Sequence, residues 1–179
     1  MDVLVELYAR TGNPRYLETS RRFYHKAVFD PLLAHRDDLV GLHANTQIPK
    51  IIGEARTYEV TGDPDARSIA TNFWELVAHH HSYVIGGDSE DEHFFDESTT
   101  SHHLRADTAE TCNTYNMLKL TEHVFGWDPK VDYADFYERA LYNHILASQD
   151  PDKGMFTYFM SLKPGFFKTY STPFDSFWC

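Results

Sequence analysis

Residues 8–14, Tyr8-Ala9-Arg10-Thr11-Gly12-Asn13-Pro14, return as Tyr58-Glu59-Val60-Thr61-Gly62-Asp63-Pro64, and Phe23 returns as Phe73, each position displaced by 50. A fixed period of this size marks a repeated supersecondary unit. In each copy the glycine suits the left-handed position that ends a helix, and the proline suits the first turn of the next. The unit predicted is therefore an αα-hairpin. Phe125-Gly126-Trp127-Asp128-Pro129, followed by Tyr133, Phe136 and Tyr137, reads as a weaker third copy.

Apolar spacing around this repeat predicts helices over 2–10, 14–34, 44–60, 64–80, 109–125 and 132–149. Ile69, Phe73, Trp74 and Val77 form one buried stripe at helical spacing. Residues 82–108 break the pattern with Gly, Ser, Thr, Asp and His, and a loop of this length within a helical domain is usually functional. After 150 the period becomes two: Phe156, Tyr158 and Met160, then Phe166, Lys168 and Tyr170, flank Lys163-Pro164-Gly165. This predicts a short β-hairpin. Hairpins at this period build an open solenoid or a closed α/α toroid. A toroid of six needs about 300 residues at that period, so 179 residues hold about half. The apolar ending Phe177-Trp178-Cys179 and the start inside a helical pattern predict a partial domain over 1–179, truncated at both ends.

The composition is that of a globular chain, 42% hydrophobic and 24% charged. Its formal net charge of -11 disfavours nucleic acid or an anionic membrane surface as partner, since both would be repelled. No apolar run approaches the roughly 18 residues of a membrane span. The N-terminus has no basic region or cleavage site of a signal peptide. Two cysteines, Cys112 and Cys179, are too few for a disulfide framework.

Glu110-x-Cys112 pairs a carboxylate with a thiol. Residues two apart on a helix face different sides, so a shared ligand requires a cap or first turn. Oxygen and sulfur donors together suit zinc, and Cys179 is the one other thiol that could join them. In Gly86-Gly87-Asp88-Ser89-Glu90-Asp91-Glu92-His93-Phe94 the glycines permit a sharp turn, and an aromatic neighbour gives Glu92 the environment of a general acid. Most of the acids in this loop are expected to be solvated. His79, His80 and His81, with His102 and His103, read as surface histidines near helix ends. His43, opening Leu42-His43-Ala44-Asn45-Thr46-Gln47, is either a helix cap or a donor to substrate.

Five stretches carry a family resemblance: LHANTQIPK at 42–50, GGDSEDEHF at 86–94, AETCNTYNMLKLT at 109–121, YADFYERALYNHIL at 133–146 and SFWC at 176–179. Together they resemble the catalytic domain of the β-L-arabinofuranosidases of glycoside hydrolase families 127 and 146, the longer motifs being closer to the 146 branch. The resemblance implies an all-α fold, part of an (α/α)6 barrel, that removes terminal β-L-arabinofuranose from arabinose-containing plant oligo- or polysaccharides with retention. It implies a Zn2+ cofactor held by Glu110, Cys112 and Cys179, with a further cysteine expected just past the last residue. It further implies Cys179 as nucleophile, Glu92 as acid/base, and His43 and Tyr158 as sugar contacts. Two other readings compete: a zinc-independent α/α-toroid enzyme acting on glycans, and a non-catalytic helical-repeat binding module in which both thiols are packed as small hydrophobes.

Overall fold

The computed structural model describes residues 1–174. Among these residues the α-helices are α1 (Asp2–Thr11), α2 (Pro14–Ser20), α3 (Lys26–Leu33), α4 (Ala44–Thr61), α5 (Pro64–Leu76), α6 (Thr111–Trp127) and α7 (Val131–Ala140). The repeat is present down to its caps. Gly12 and Gly62 end α1 and α4 at φ 68° and 75°, their N–H groups donating to Tyr8 and Tyr58 carbonyls. Asn13 and Asp63 then cap α2 and α5 by accepting from the N–H groups of Arg15 and Asp65. Those side chains satisfy donors that a helix start otherwise leaves unpaired.

The third copy differs. Gly126 lies inside α6, which runs on to Trp127 and ends at Asp128 with φ -154° and ψ 87° rather than at a left-handed glycine. The helix expected over 14–34 also divides, because Tyr24 (ψ 112°) and His25 (ψ 83°) leave helical geometry between a 3₁₀ turn, Arg21–Phe23, and α3. Tyr24 is held there by its ring, edge-on to Phe29 at 5.0 Å, and by its hydroxyl, which donates to Asp30 at 2.9 Å.

Two layers result. α4 packs on both α1 and α6, while α2, α5 and α7 pair with α1, α4 and α6 respectively and α3 packs on α5. α4 is buried on several faces, through Ala44, Gln47, Ile48, Ile51, Ile52 and Ala55, as an inner helix with neighbours all round must be. Trp74 centres the core, edge-on to Tyr133 at 4.4 Å and Phe136 at 5.6 Å. Its indole N–H donates to Thr121 at 2.8 Å, so a buried polar group is satisfied. Each such fully buried large side chain stabilises the fold by about 1.5–3 kcal/mol. Among the described residues no helix is long and apolar enough to cross a membrane.

The expected C-terminal hairpin is corrected. The turn exists, with Phe166 N–H donating to Lys163 O and Gly165 at φ 75°. Its arms form no strand among the described residues. The first arm instead gives its backbone bonds to the segment before α6: Met160 N–H to Ala109 O and Leu162 N–H to Arg105 O, each at 3.1 Å.

Both α5 and α7 finish in a π-helical turn, Val77–His81 and Leu141–Ile145. The wider turn shifts the side-chain register, and each one carries a histidine into the interior. His81, expected at the surface, is 2% exposed and bonds the Phe95 carbonyl and Asp37 Oδ2, both at 2.8 Å. His79 and His80 remain outside, paired with Glu75 and Glu97. His144 is fully buried against Thr114, at 2.7 Å.

Candidate active site

Four short backbone segments meet at one end of the helices, joined by isolated antiparallel bridges. Residues 41–44 pair with 92–94 through Gly41 N–H to Phe94 O, Phe94 N–H to Leu42 O and Ala44 N–H to Glu92 O, at 2.8, 3.0 and 2.8 Å. Residues 89–91 pair with 107–109 through Asp91 N–H to Asp107 O and Ala109 N–H to Ser89 O. Thr111 N–H reaches Tyr158 O, and Glu110 bridges Phe159. Each segment delivers one expected site residue: His43, Glu92, Glu110 and Tyr158.

The glycines make this approach possible. A Cβ at Gly86 would stand 2.7 Å from Ala140, and one at Gly87 would stand 2.6 Å from Ala109 Cβ and 2.7 Å from His144 Nδ1. No side chain fits there. Downstream, Ser89, Asp91 and Glu92 adopt φ of 72°, 44° and 65°, and Ala109 across the pairing adopts 53°. Left-handed geometry costs a non-glycine residue about 1–3 kcal/mol, and residues under such strain concentrate at functional sites.

Tyr158 Oη lies 2.6 Å from Glu92 Oε1 and 3.0 Å from Glu110 Oε1. His43 Nε2 lies 2.8 Å from the other Glu92 oxygen. Of the two roles open for His43, the cap is taken by its backbone alone: its carbonyl begins α4, while the side chain makes no capping bond. The Tyr158 hydroxyl donates toward both carboxyls and so ties the two acids together. Burial raises the Glu110 carboxyl above the usual range, opposed by hydrogen bonds from Cys112 and Tyr158.

Glu110 and Cys112 occupy the cap and first turn that a shared ligand requires. Glu110 is the N-cap of α6, at φ -65° and ψ 132°, and the Cys112 thiol bonds its carboxyl. Glu110 Oε2 is buried and takes no hydrogen bond from nitrogen or oxygen. An oxygen lone pair without a donor beside a thiol suits a zinc ion. These two donors fit the metal. Cys179, the third donor and the expected nucleophile, lies outside the described residues, and among those residues no group of three or more His, Cys, Asp and Glu side chains is arranged around a metal position.

Beneath these groups lies a polar layer that sequence reading missed. Asp88, Ser89, Asn113, Thr114 and His144 are all fully buried. Burial pushes the Asp88 carboxyl up to about 7 and the His144 imidazole down to about 4. Asp88 is thus an exception among the loop's acids, and the sequence signal for it is the adjacent Gly-Gly, which brings the loop onto α7. Glu90 is tied to His103, and to Arg105 at 2.8 Å.

The whole chain, residues 1–179, matches the family model described as "Beta-L-arabinofuranosidase, GH127 catalytic domain". Among solved structures the chain is similar to a GH127 β-arabinofuranosidase, at 24% identity and TM-score 0.71, covering 87% of this chain and 26% of that one. It is similar to a glycoside hydrolase at 20% identity and TM-score 0.69, with coverages of 94% and 33%. A third match is a GH127 β-L-arabinofuranosidase from Geobacillus stearothermophilus T6, at 24% identity and TM-score 0.66, covering 89% and 30%. No curated protein matches the sequence. The chain spans about a third or less of these three solved structures. At these identities the structural likeness establishes the part-barrel α/α fold, and the full-length family match assigns the chain to the GH127 β-L-arabinofuranosidase catalytic-domain family.

Proposed function

We propose that this chain carries the acid/base and part of the zinc site of a retaining glycosidase that removes terminal β-L-arabinofuranosyl residues from plant oligo- or polysaccharides. The observation that supports this best is the Tyr158 hydroxyl between Glu92 and Glu110, which sets the Glu92 carboxyl beside an oxygen–sulfur donor pair. Glu110, Cys112 and Cys179 would hold the metal. Bound there, zinc keeps a cysteine thiolate deprotonated at neutral pH.

Glu92 gives its proton to the glycosidic oxygen as the C1–O bond breaks and the Cys179 sulfur bonds to C1. It then takes a proton from water, whose oxygen bonds to C1 as the C1–S bond breaks. Two inversions at C1 return the starting configuration. One carboxyl and one thiolate thus share the work that two carboxyls usually divide. His43 and Tyr158 hold the two oxygens of Glu92 and stand where the sugar's hydroxyls enter.

The test is release of L-arabinose from a β-L-arabinofuranoside by the whole polypeptide that carries this chain, with zinc content measured in parallel. Glu92→Gln and Cys179→Ala are each expected to lower turnover by about a thousandfold or more. An active Cys179→Ala variant, or a zinc-loaded protein inert toward β-L-arabinofuranosides, would overturn the proposal.

A further inference from the structure

We propose that Asn113, acting with Asp88 and Ser89, is a positioning residue that clamps the Glu92 loop to the Glu110–Cys112 turn. This rests on the reading of Glu92 as acid/base. Asn113 stands in the first turn of α6, one residue after Cys112. Its Nδ2 donates to Asp88 Oδ1 at 3.0 Å and to Ser89 Oγ at 2.8 Å, and all three residues are fully buried. Both amide protons are therefore spent on one loop, and neither goes to Glu92.

That loop needs an outside hold. Three of its four residues from Ser89 to Glu92 are left-handed without being glycine, a geometry that persists only where the surroundings over-determine it. The backbone bonds to Asp107 and Ala109 supply part of the restraint. Asn113 supplies a side-chain restraint that starts from the helix carrying Cys112. The clamp leaves Asp88 Oδ2 and Asn113 Oδ1 buried without hydrogen-bond partners. An apolar trio of similar size would avoid that cost, so stability alone does not account for these residues. Their geometric effect does: Glu92 is three residues beyond Ser89, and releasing the loop lets its carboxyl drift from the leaving oxygen.

The experiment compares kcat/KM, which reports cleavage of the glycosidic bond, on two β-L-arabinofuranosides. One has a sugar leaving group that needs a proton; the other has a dinitrophenyl group that departs without one. In the whole zinc-loaded polypeptide, Asn113→Ala is expected to lose about 10–100-fold on the first substrate, the usual cost of misplacing a catalytic group. On the second it should change little, with zinc per chain unchanged. Asp88→Asn keeps the oxygen that accepts from Asn113 and should retain activity, whereas Asp88→Ala should repeat the Asn113→Ala pattern. Equal losses on both substrates, no loss on either, or equal impairment of Asp88→Asn and Asp88→Ala would overturn the proposal. Where Asn113→Ala fails to fold, Ser89→Ala removes one acceptor only and is read in the same way. A wild-type protein inactive on both substrates would overturn the proposed function itself, an outcome distinct from the failure of the clamp.

Discussion

The Tyr158 hydroxyl sits 2.6 Å from Glu92 Oε1, although 66 residues separate the two in sequence. Tyr158 arrives on the segment after α7 and Glu92 on the loop before α6, so the contact reports the folding of the whole end of the domain. Tyr158→Phe keeps the ring and removes only the hydroxyl. The expected result is a fall of about 10–100-fold in kcat/KM, with the thermal midpoint close to wild type. A loss seen mainly in thermal stability would make the hydroxyl a structural group.

Gly87 faces Ala109 and His144 at distances that no real Cβ tolerates, 2.6 and 2.7 Å. Both neighbours are fully buried, so neither gives way easily. Gly87→Ala is expected to destabilise by about 1–3 kcal/mol, the cost of overpacking, measured by chemical denaturation. Because the displaced loop carries Glu92, activity should fall even at temperatures where the variant stays folded. Gly154, unlike Gly87 at positive φ (69°), has nothing within 4 Å of a Cβ, and Gly154→Ala should leave activity unchanged.

Glu54 is 5% exposed on α4, between the first two hairpins. Burial, reinforced by Asp63, pushes its carboxyl up to about 7 from the ordinary 4.5. Between those values the folded chain keeps a proton that the unfolded chain has released. Stability from this group is therefore greatest in acid, falls as pH rises through the window, and is flat above it. Glu54→Gln removes the dependence. The variant should match wild type near pH 4 and exceed it near pH 8 by on the order of 1–3 kcal/mol. Equal stabilisation at both pH values would mean that the carboxyl's charge is not the cause.

What was legible in the sequence was local. Gly12, Gly62 and the Asn13 and Asp63 caps follow from backbone conformations that few residues adopt, and each was readable from a handful of neighbours. Glu110 and Cys112 were readable as a cap pair for the same reason. The alternation around Tyr158 and Met160 was equally visible, but period two states only that alternate residues face opposite ways; it does not name the partner strand. The partner was 105–111 rather than the other side of the Pro164 turn. Asp88, Asn113 and His144 were missed because burying a polar side chain is a tertiary decision. The π turn that aims His144 inward inserts no marker residue. Glu92, Tyr158 and His43 came together through the family resemblance and not through spacing.

The repeat that defines the fold offers a matched pair. Gly12 and Gly62 have nearly the same φ, 68° and 75°, and neither would bring a Cβ within 4 Å of another group. Replacing either by alanine therefore adds no clash, only the cost of a left-handed alanine, about 1–2 kcal/mol, offset in part by the lower entropy of the unfolded chain. Gly12→Ala and Gly62→Ala are each expected to lower stability by about 1 kcal/mol. Asparagine, which tolerates this conformation better, should cost less at both sites. α1 packs on α2 and α4, whereas α4 also meets α5 and α6, so fraying of α4 would disturb more of the fold. Denaturation midpoints of the four variants separate the two contributions. Similar losses at both sites mean that local backbone geometry governs the turn, whereas a much larger loss at Gly62 that persists with asparagine would show that the packing around α4 governs it instead.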